Sequence, residues 1–186
     1  MSGKELAEIT KEILSCRICR KNSVGTAVPG EGSPRAKVMF VGEAPGRQEA
    51  VSGRPFIGRS GRLLRTAIKK IGLAETEVYI TSPVKYLKNY VTPKPADIVH
   101  GRVHLEQQIA AINPAVLVLL GNVAVTGTLG KKIAIMKVHG KYERKNGRIY
   151  FFTLHPAAAL RFQKFKAVMD TDWLVLRKLL REKKIV

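Results

Sequence analysis

Cysteine is nearly absent: the 186 residues contain two, Cys16 and Cys19. A disulfide-built scaffold, which replaces a missing core with several bridges, is thereby excluded. Acidic side chains are scarce as well, with 14 Asp and Glu against 33 Lys and Arg, a formal net charge of +19 at pH 7. Such a surplus draws polyanions to the surface, nucleic acid before anionic membrane, and says nothing about chemistry. Long apolar runs are missing too. The longest, Ala115 to Leu120, falls far short of the ~20 residues that cross a bilayer, and Met1 to Leu14 is charged and amphipathic, unlike a secretion signal. What is present is enough apolar material, 45% of residues, to fill a core, which excludes disorder and collagen-like repeats. The composition predicts one globular domain over residues 1–186, monomeric and cytoplasmic, with no membrane partner.

Four runs rich in β-branched and aromatic residues read as buried strands: Lys37 to Val41, Glu77 to Thr81, Ala115 to Leu120 and Ile149 to Leu154. Between them the apolar spacing turns helical, through Leu63, Leu64, Ala67, Ile68 and Ile71 before Gly72, and through Ile98, Leu105, Ile109 and Ile112 before Asn113-Pro114. Helices are expected at both ends, Lys4 to Leu14 and Asp170 to Lys183, the second burying Trp173, Leu176 and Leu180. This alternation predicts an α/β fold, a three-layer α/β/α sandwich around a central, mostly parallel four-stranded sheet. Lys21 to Pro34 and Lys85 to Pro95, rich in Gly, Pro and Lys, read as long surface loops.

Polar punctuation follows each strand: Gly42-Glu43-Ala44-Pro45-Gly46, then Ser82-Pro83, Gly121-Asn122 and His155-Pro156. In an open α/β sheet the carboxyl ends of the strands form the ligand crevice, so these four segments converge. The first is followed by Gly53-Arg54-Pro55-Phe56-Ile57-Gly58-Arg59-Ser60-Gly61. So many glycines imply close approach of backbone to a ligand, yet neither G-x-G-x-x-G nor the P-loop pattern is present.

These segments, with Val78-Tyr79-Ile80-Thr81 and His155-Pro156-Ala157-Ala158-Ala159-Leu160-Arg161, resemble the uracil-DNA glycosylase superfamily, in particular its thermostable family 4. The match keeps the family's order over nearly the whole chain. The resemblance implies a monofunctional DNA glycosylase that flips uracil from DNA, hydrolyses its N-glycosidic bond and leaves an abasic site. In that reading Gly42, Ala44, Pro45 and Gly46 surround the sugar of the flipped nucleotide and Phe56 stacks on its base. Glu43 orients the attacking water and stabilises positive charge on the sugar. His155 donates to the leaving base. Leu160 enters the vacated position and Arg161 contacts a phosphate or base. Arg59, Lys85 and Lys164 supply further DNA contacts, with Lys88 and Lys94 near them. Glu49 is a weaker candidate for the carboxylate role given to Glu43 and reads rather as a solvated charge.

Two departures from the family limit what carries over. Ser82 stands where the family has Asn, and one hydroxyl satisfies less of a base edge than an amide. Another deaminated base, hypoxanthine or xanthine, is therefore an alternative substrate, and a non-catalytic lesion-binding protein is a second alternative. The family also holds a 4Fe–4S cluster on four cysteines. Only Cys16 and Cys19 remain; the third position is Tyr86 and the fourth falls near Gly101 or Arg102. A family-type cluster is not expected, and hydrolysis by water requires no cofactor. The cysteine pair is expected to be free or disulfide-bonded, with Tyr86 packed in the cluster's place. A zinc site completed by His100 and His104, four apart on a predicted helix, is the alternative.

Overall fold

Leu6, Ile9 and Ile13 recur on one face of α1 (Ser2–Ser15), and all three are buried. In the computed structural model, which describes residues 2–90 and 92–185, a single turn follows, α2 (Arg17–Arg20), with two very short strands, β1 (Ser23–Val24) and β2 (Glu31–Gly32). Then come β3 (Val38–Val41), α3 (Arg47–Ser52), α4 (Arg59–Lys70), β4 (Val78–Thr81), β5 (Leu87–Lys88) and α5 (Pro95–Ile112). The second half runs β6 (Val116–Leu120), α6 (Asn122–Leu129), α7 (Ile135–Val138), β7 (Tyr142–Lys145), β8 (Arg148–Thr153), α8 (Pro156–Arg161) and α9 (Gln163–Glu182).

The four expected strands are β3, β4, β6 and β8. The first three are buried at every residue. Their sequences read as continuous apolar runs because helices cover both sheet faces. They pair in parallel, in the order β4-β3-β6-β8. The chain leaves β3 for one neighbour, β4, and then returns to the other side at β6. This reversal opens a crevice between the carboxyl ends of β3 and β6.

Among the described residues the sheet has six strands rather than four, because β2 adds antiparallel to β4 and β7 antiparallel to β8. Neither edge announces itself: β2 has two residues, and β7 reads Tyr-Glu-Arg-Lys with no buried position. A second ribbon pairs β1 with β5. The stretches 21–34 and 85–95 are thus more than surface loops, since Ala27, Val28, Lys85, Tyr86 and Lys88 are buried within them. Helix α9 starts well before Asp170, nothing between Phe162 and Asp170 being able to break it. Trp173, Leu176 and Leu180 form its buried face. Among the described residues, no helix is long and apolar enough to cross a membrane.

Candidate active site

Past Val41 the first strand gives way to the Gly-rich turn. The Gly42 N–H donates to Thr81 O at 2.8 Å, and the following residues cross the carboxyl ends of the sheet. A cavity of about 810 Å³ opens there. It is lined by Glu43, Ala44, Pro45 and Gly46 from the first strand end, Ser82 from the second, His155 and Arg161 from beyond the fourth, and by Phe56.

Two of the glycines make room for Phe56. A Cβ built on Gly42 would lie 2.4 Å from the Phe56 Cζ, and one on Gly61 would lie 2.0 Å from the Phe56 carbonyl carbon and oxygen. Phe56 itself has φ of +52°, a left-handed conformation that costs a bulky residue on the order of 1 kcal/mol. Neighbouring groups hold it there. Arg65 Nε donates to Phe56 O at 3.0 Å and its Nη2 to Pro55 O at 2.9 Å, while Glu31 and Glu75 fix the guanidinium from the other side.

Glu49 is no solvated charge. It is 8% exposed; its Oε1 accepts from the Ile57 and Gly58 N–H groups, both at 2.8 Å, and its Oε2 from Gly46 N–H at 3.1 Å. One carboxylate thereby staples the turn after β3 to the loop that carries Phe56. The signal was present in the sequence, since Glu at the third helical position after Gly46 is where a carboxylate reaches back to the helix start.

Pro156 begins α8, where a missing N–H costs nothing, and His155 caps it. The His155 Nδ1 accepts from Ala157 N–H at 3.2 Å. Burial, reinforced by Arg161, pushes the imidazole down to about 4, so at neutral pH the ring is uncharged. With Nδ1 accepting, its one proton sits on Nε2 and is available to donate. Gly121 keeps the ring's approach open, since a Cβ there would lie 3.2 Å from the His155 Cβ. Burial also raises the half-buried Glu43 carboxyl above its ordinary range, and Arg161 opposes that rise.

Ser82 reaches the cavity but is 6% exposed, and its hydroxyl donates to Val84 O at 2.8 Å. Its remaining capacity is as an acceptor. Lys85 is 1% exposed, with Nζ donating to Pro29 O, Thr81 Oγ1 and Gln108 Oε1 at 3.1, 2.8 and 2.7 Å. It therefore does not supply the DNA contact expected from the sequence; three acceptors draw it into the interior. Lys88 is likewise buried, donating to Cys19 O and Lys21 O and pairing with Asp97. Arg59, Leu160 and Lys164 are exposed outside the cavity lining. Phe162, an exposed aromatic beside Arg161, does line it and was not singled out from the sequence.

A second constellation lies on α2 and α5. Cys16 and Cys19 are free thiols, not a disulfide. Their sulfurs and one ring nitrogen each of His100 and His104 all lie within 4.8 Å of one another, an arrangement able to hold a metal ion.

Residues 29–177 match the family described as the uracil DNA glycosylase superfamily. The chain is 39% identical over 186 residues, 94% of its length and 84% of the relative's, to the type-4 uracil-DNA glycosylase of Sulfurisphaera tokodaii. It is 37% identical over 193 residues, 95% and 87% of the two chains, to that of Saccharolobus solfataricus. To that of Thermotoga maritima it is 38% identical over 163 residues, 85% of each. A Gly-rich turn, a capped His-Pro and a shared cavity at the carboxyl ends of one parallel sheet thus come with similarity along nearly all of the chain, which belongs to the uracil DNA glycosylase superfamily and, within it, to the type-4 group.

Proposed function

We propose that this chain is a monofunctional uracil-DNA glycosylase. The observation that carries the reading is the convergence of Glu43, His155 and Phe56 on one cavity of about 810 Å³, large enough for a flipped nucleotide. Phe56 offers its face to the base. The neutral His155 presents Nε2–H to the O2 carbonyl of uracil, where charge gathers as the N-glycosidic bond breaks. A preorganised donor of this kind contributes roughly 3 kcal/mol to the barrier reduction. Glu43 positions a water and takes its proton as the oxygen bonds to C1′, while the bonding pair leaves with uracil. Its negative charge also stabilises the oxocarbenium-like sugar. Water is the nucleophile, so the reaction needs no cofactor and yields an abasic site with the backbone uncut. Arg161 at the cavity and the exposed Arg59, Leu160 and Lys164 face the duplex. The protein acts as a monomer beside the nucleoid, in the cytoplasm.

Ser82 favours one second reading. With its proton committed to Val84 O, the hydroxyl can only accept, so it accepts from uracil N3–H without answering O4. A different deaminated base suffers little extra penalty in such a pocket. Duplexes carrying one uracil, hypoxanthine or xanthine, incubated with the protein and then treated with alkali to cut abasic sites, separate these readings. Cleavage at uracil above the other two supports the first; binding without cleavage of any lesion would assign the chain a non-catalytic role.

A further inference from the structure

We propose that Cys16, Cys19, His100 and His104 form a mononuclear zinc site in place of the iron–sulfur cluster implied by the family resemblance. The inference rests on donor geometry and stands apart from the base-excision reading.

A tetrahedral zinc ion with Zn–S near 2.3 Å and Zn–N near 2.0 Å holds its ligand atoms roughly 3.3 to 3.8 Å apart. The four donors here lie within 4.8 Å of one another, and the Cys16 Sγ is already 3.1 Å from the His100 Nε2. Each pair is preset by its own element. The Cys19 N–H points at the Cys16 Sγ, 3.4 Å away, which folds the Cys-x-x-Cys turn around its first sulfur. His100 and His104 are four apart on α5 and share one face.

The His104 Nε2 is the independent sign. It is buried and has no hydrogen-bond partner, a costly state for a ring nitrogen in the absence of a ligand. Its other nitrogen, Nδ1, lies 3.2 Å from Gln107 Oε1, and the Gln107 amide donates onward to Glu12 Oε2 at 3.0 Å. That chain fixes the proton on Nδ1 and leaves the Nε2 lone pair aimed into the cluster, as outer-shell partners of metal-bound imidazoles do. Two thiolates and two neutral imidazoles carry two negative charges in total, which Zn²⁺ cancels within a largely buried site.

An iron–sulfur cube does not fit. It requires a thiolate at each of four irons, with the cube itself separating the ligands, whereas these four donors converge on a single point. At the other family positions Tyr86, Gly101 and Arg102 supply no thiolate. Tyr86 is 3% exposed and its hydroxyl donates to Leu14 O. A Cβ on Gly101 would lie 2.2 Å from Pro83 O, leaving no room for a cysteine side chain. A two-iron centre with paired Cys and paired His would set the two pairs on opposite irons; the Cys16–His100 approach mixes them on one side.

The test is metal analysis of the protein purified from cells supplied with both iron and zinc. One zinc per chain without acid-labile sulfide is expected. Chelated protein titrated with Co²⁺ should saturate at one ion, with the intense visible bands of tetrahedral cobalt and a thiolate-to-cobalt charge-transfer band. His104→Ala removes a ligand and should lower metal affinity by more than the roughly 10- to 100-fold that loss of an outer-shell partner such as Gln107 costs, and His104→Cys should retain zinc while strengthening the charge-transfer band. Stoichiometric iron with sulfide overturns the proposal. So does a metal-free protein whose cobalt spectrum shows only the weak bands of octahedral oxygen coordination.

Discussion

The rings of Phe56 and His155 lie with centroids 5.8 Å apart and planes tilted by 34°. The platform proposed for the base and the donor proposed for its leaving group are therefore neighbours in contact. Displacing one disturbs the other. His155→Ala should lower the single-turnover excision rate by on the order of 10²-fold with duplex affinity nearly unchanged, because leaving-group stabilisation exists only in the transition state. Rate and binding are read by quench and by anisotropy; parallel losses would make His155 structural.

Gly42→Ala should act through Phe56. The added methyl meets the ring, which must move off its position, and base stacking on an aromatic is worth about 1–3 kcal/mol. The expected loss is roughly 10- to 100-fold in kcat/KM with thermal stability lowered only modestly. A double variant with Phe56→Ala provides the check: if the two losses multiply instead of overlapping, Gly42 acts by another route.

The acid limb of the rate profile should belong to Glu43. Its carboxyl must be ionised to hold water, and burial raises its pKa while Arg161 lowers it. Activity therefore falls as pH drops through a value above the ordinary carboxylate range. His155, down near 4, stays neutral through that window. Arg161→Ala removes the opposing charge and should shift the limb to higher pH in single-turnover measurements at saturating enzyme. An unmoved limb would remove Glu43 from its assigned role.

Ser82→Asn should raise uracil excision and narrow the range of bases accepted, since an amide answers more of the base edge. In the unmodified protein uracil opposite guanine should react faster than uracil opposite adenine, because a mispaired base is cheaper to extrude and a weakly selective pocket depends more on that saving. Time courses on the two duplexes, for both proteins, read this directly. Equal rates together with loss of activity in the Asn variant would place residue 82 away from the base edge.

Legibility in the sequence followed burial and segment length. The four central strands could be read because both faces are covered, which leaves unbroken runs such as Val116 to Leu120. Strands β2 and β7 could not, one having too few residues and the other lying at an exposed edge. At the cavity, Glu43, Phe56 and His155 stood out through the glycines and proline around them. Glu49 and Arg65 did not, because a charged side chain turned inward to backbone groups looks like a solvated one until its partners are known. Lys85 is the cationic counterpart, reading as a surface charge and lying inside.

That inward lysine alters the thermodynamics of association with a polyanion. Each phosphate neutralised by a protein cation releases a condensed counterion, and log K falls with log salt by about 0.9 per such contact on duplex DNA. Lys85 on its three acceptors, Lys88 on two carbonyls and Asp97, and Arg65 between two glutamates can release none. The formal charge of +19 therefore overstates the ionic footprint, and the salt sensitivity of binding is set by side chains such as Arg59, Arg161 and Lys164 that still face solvent.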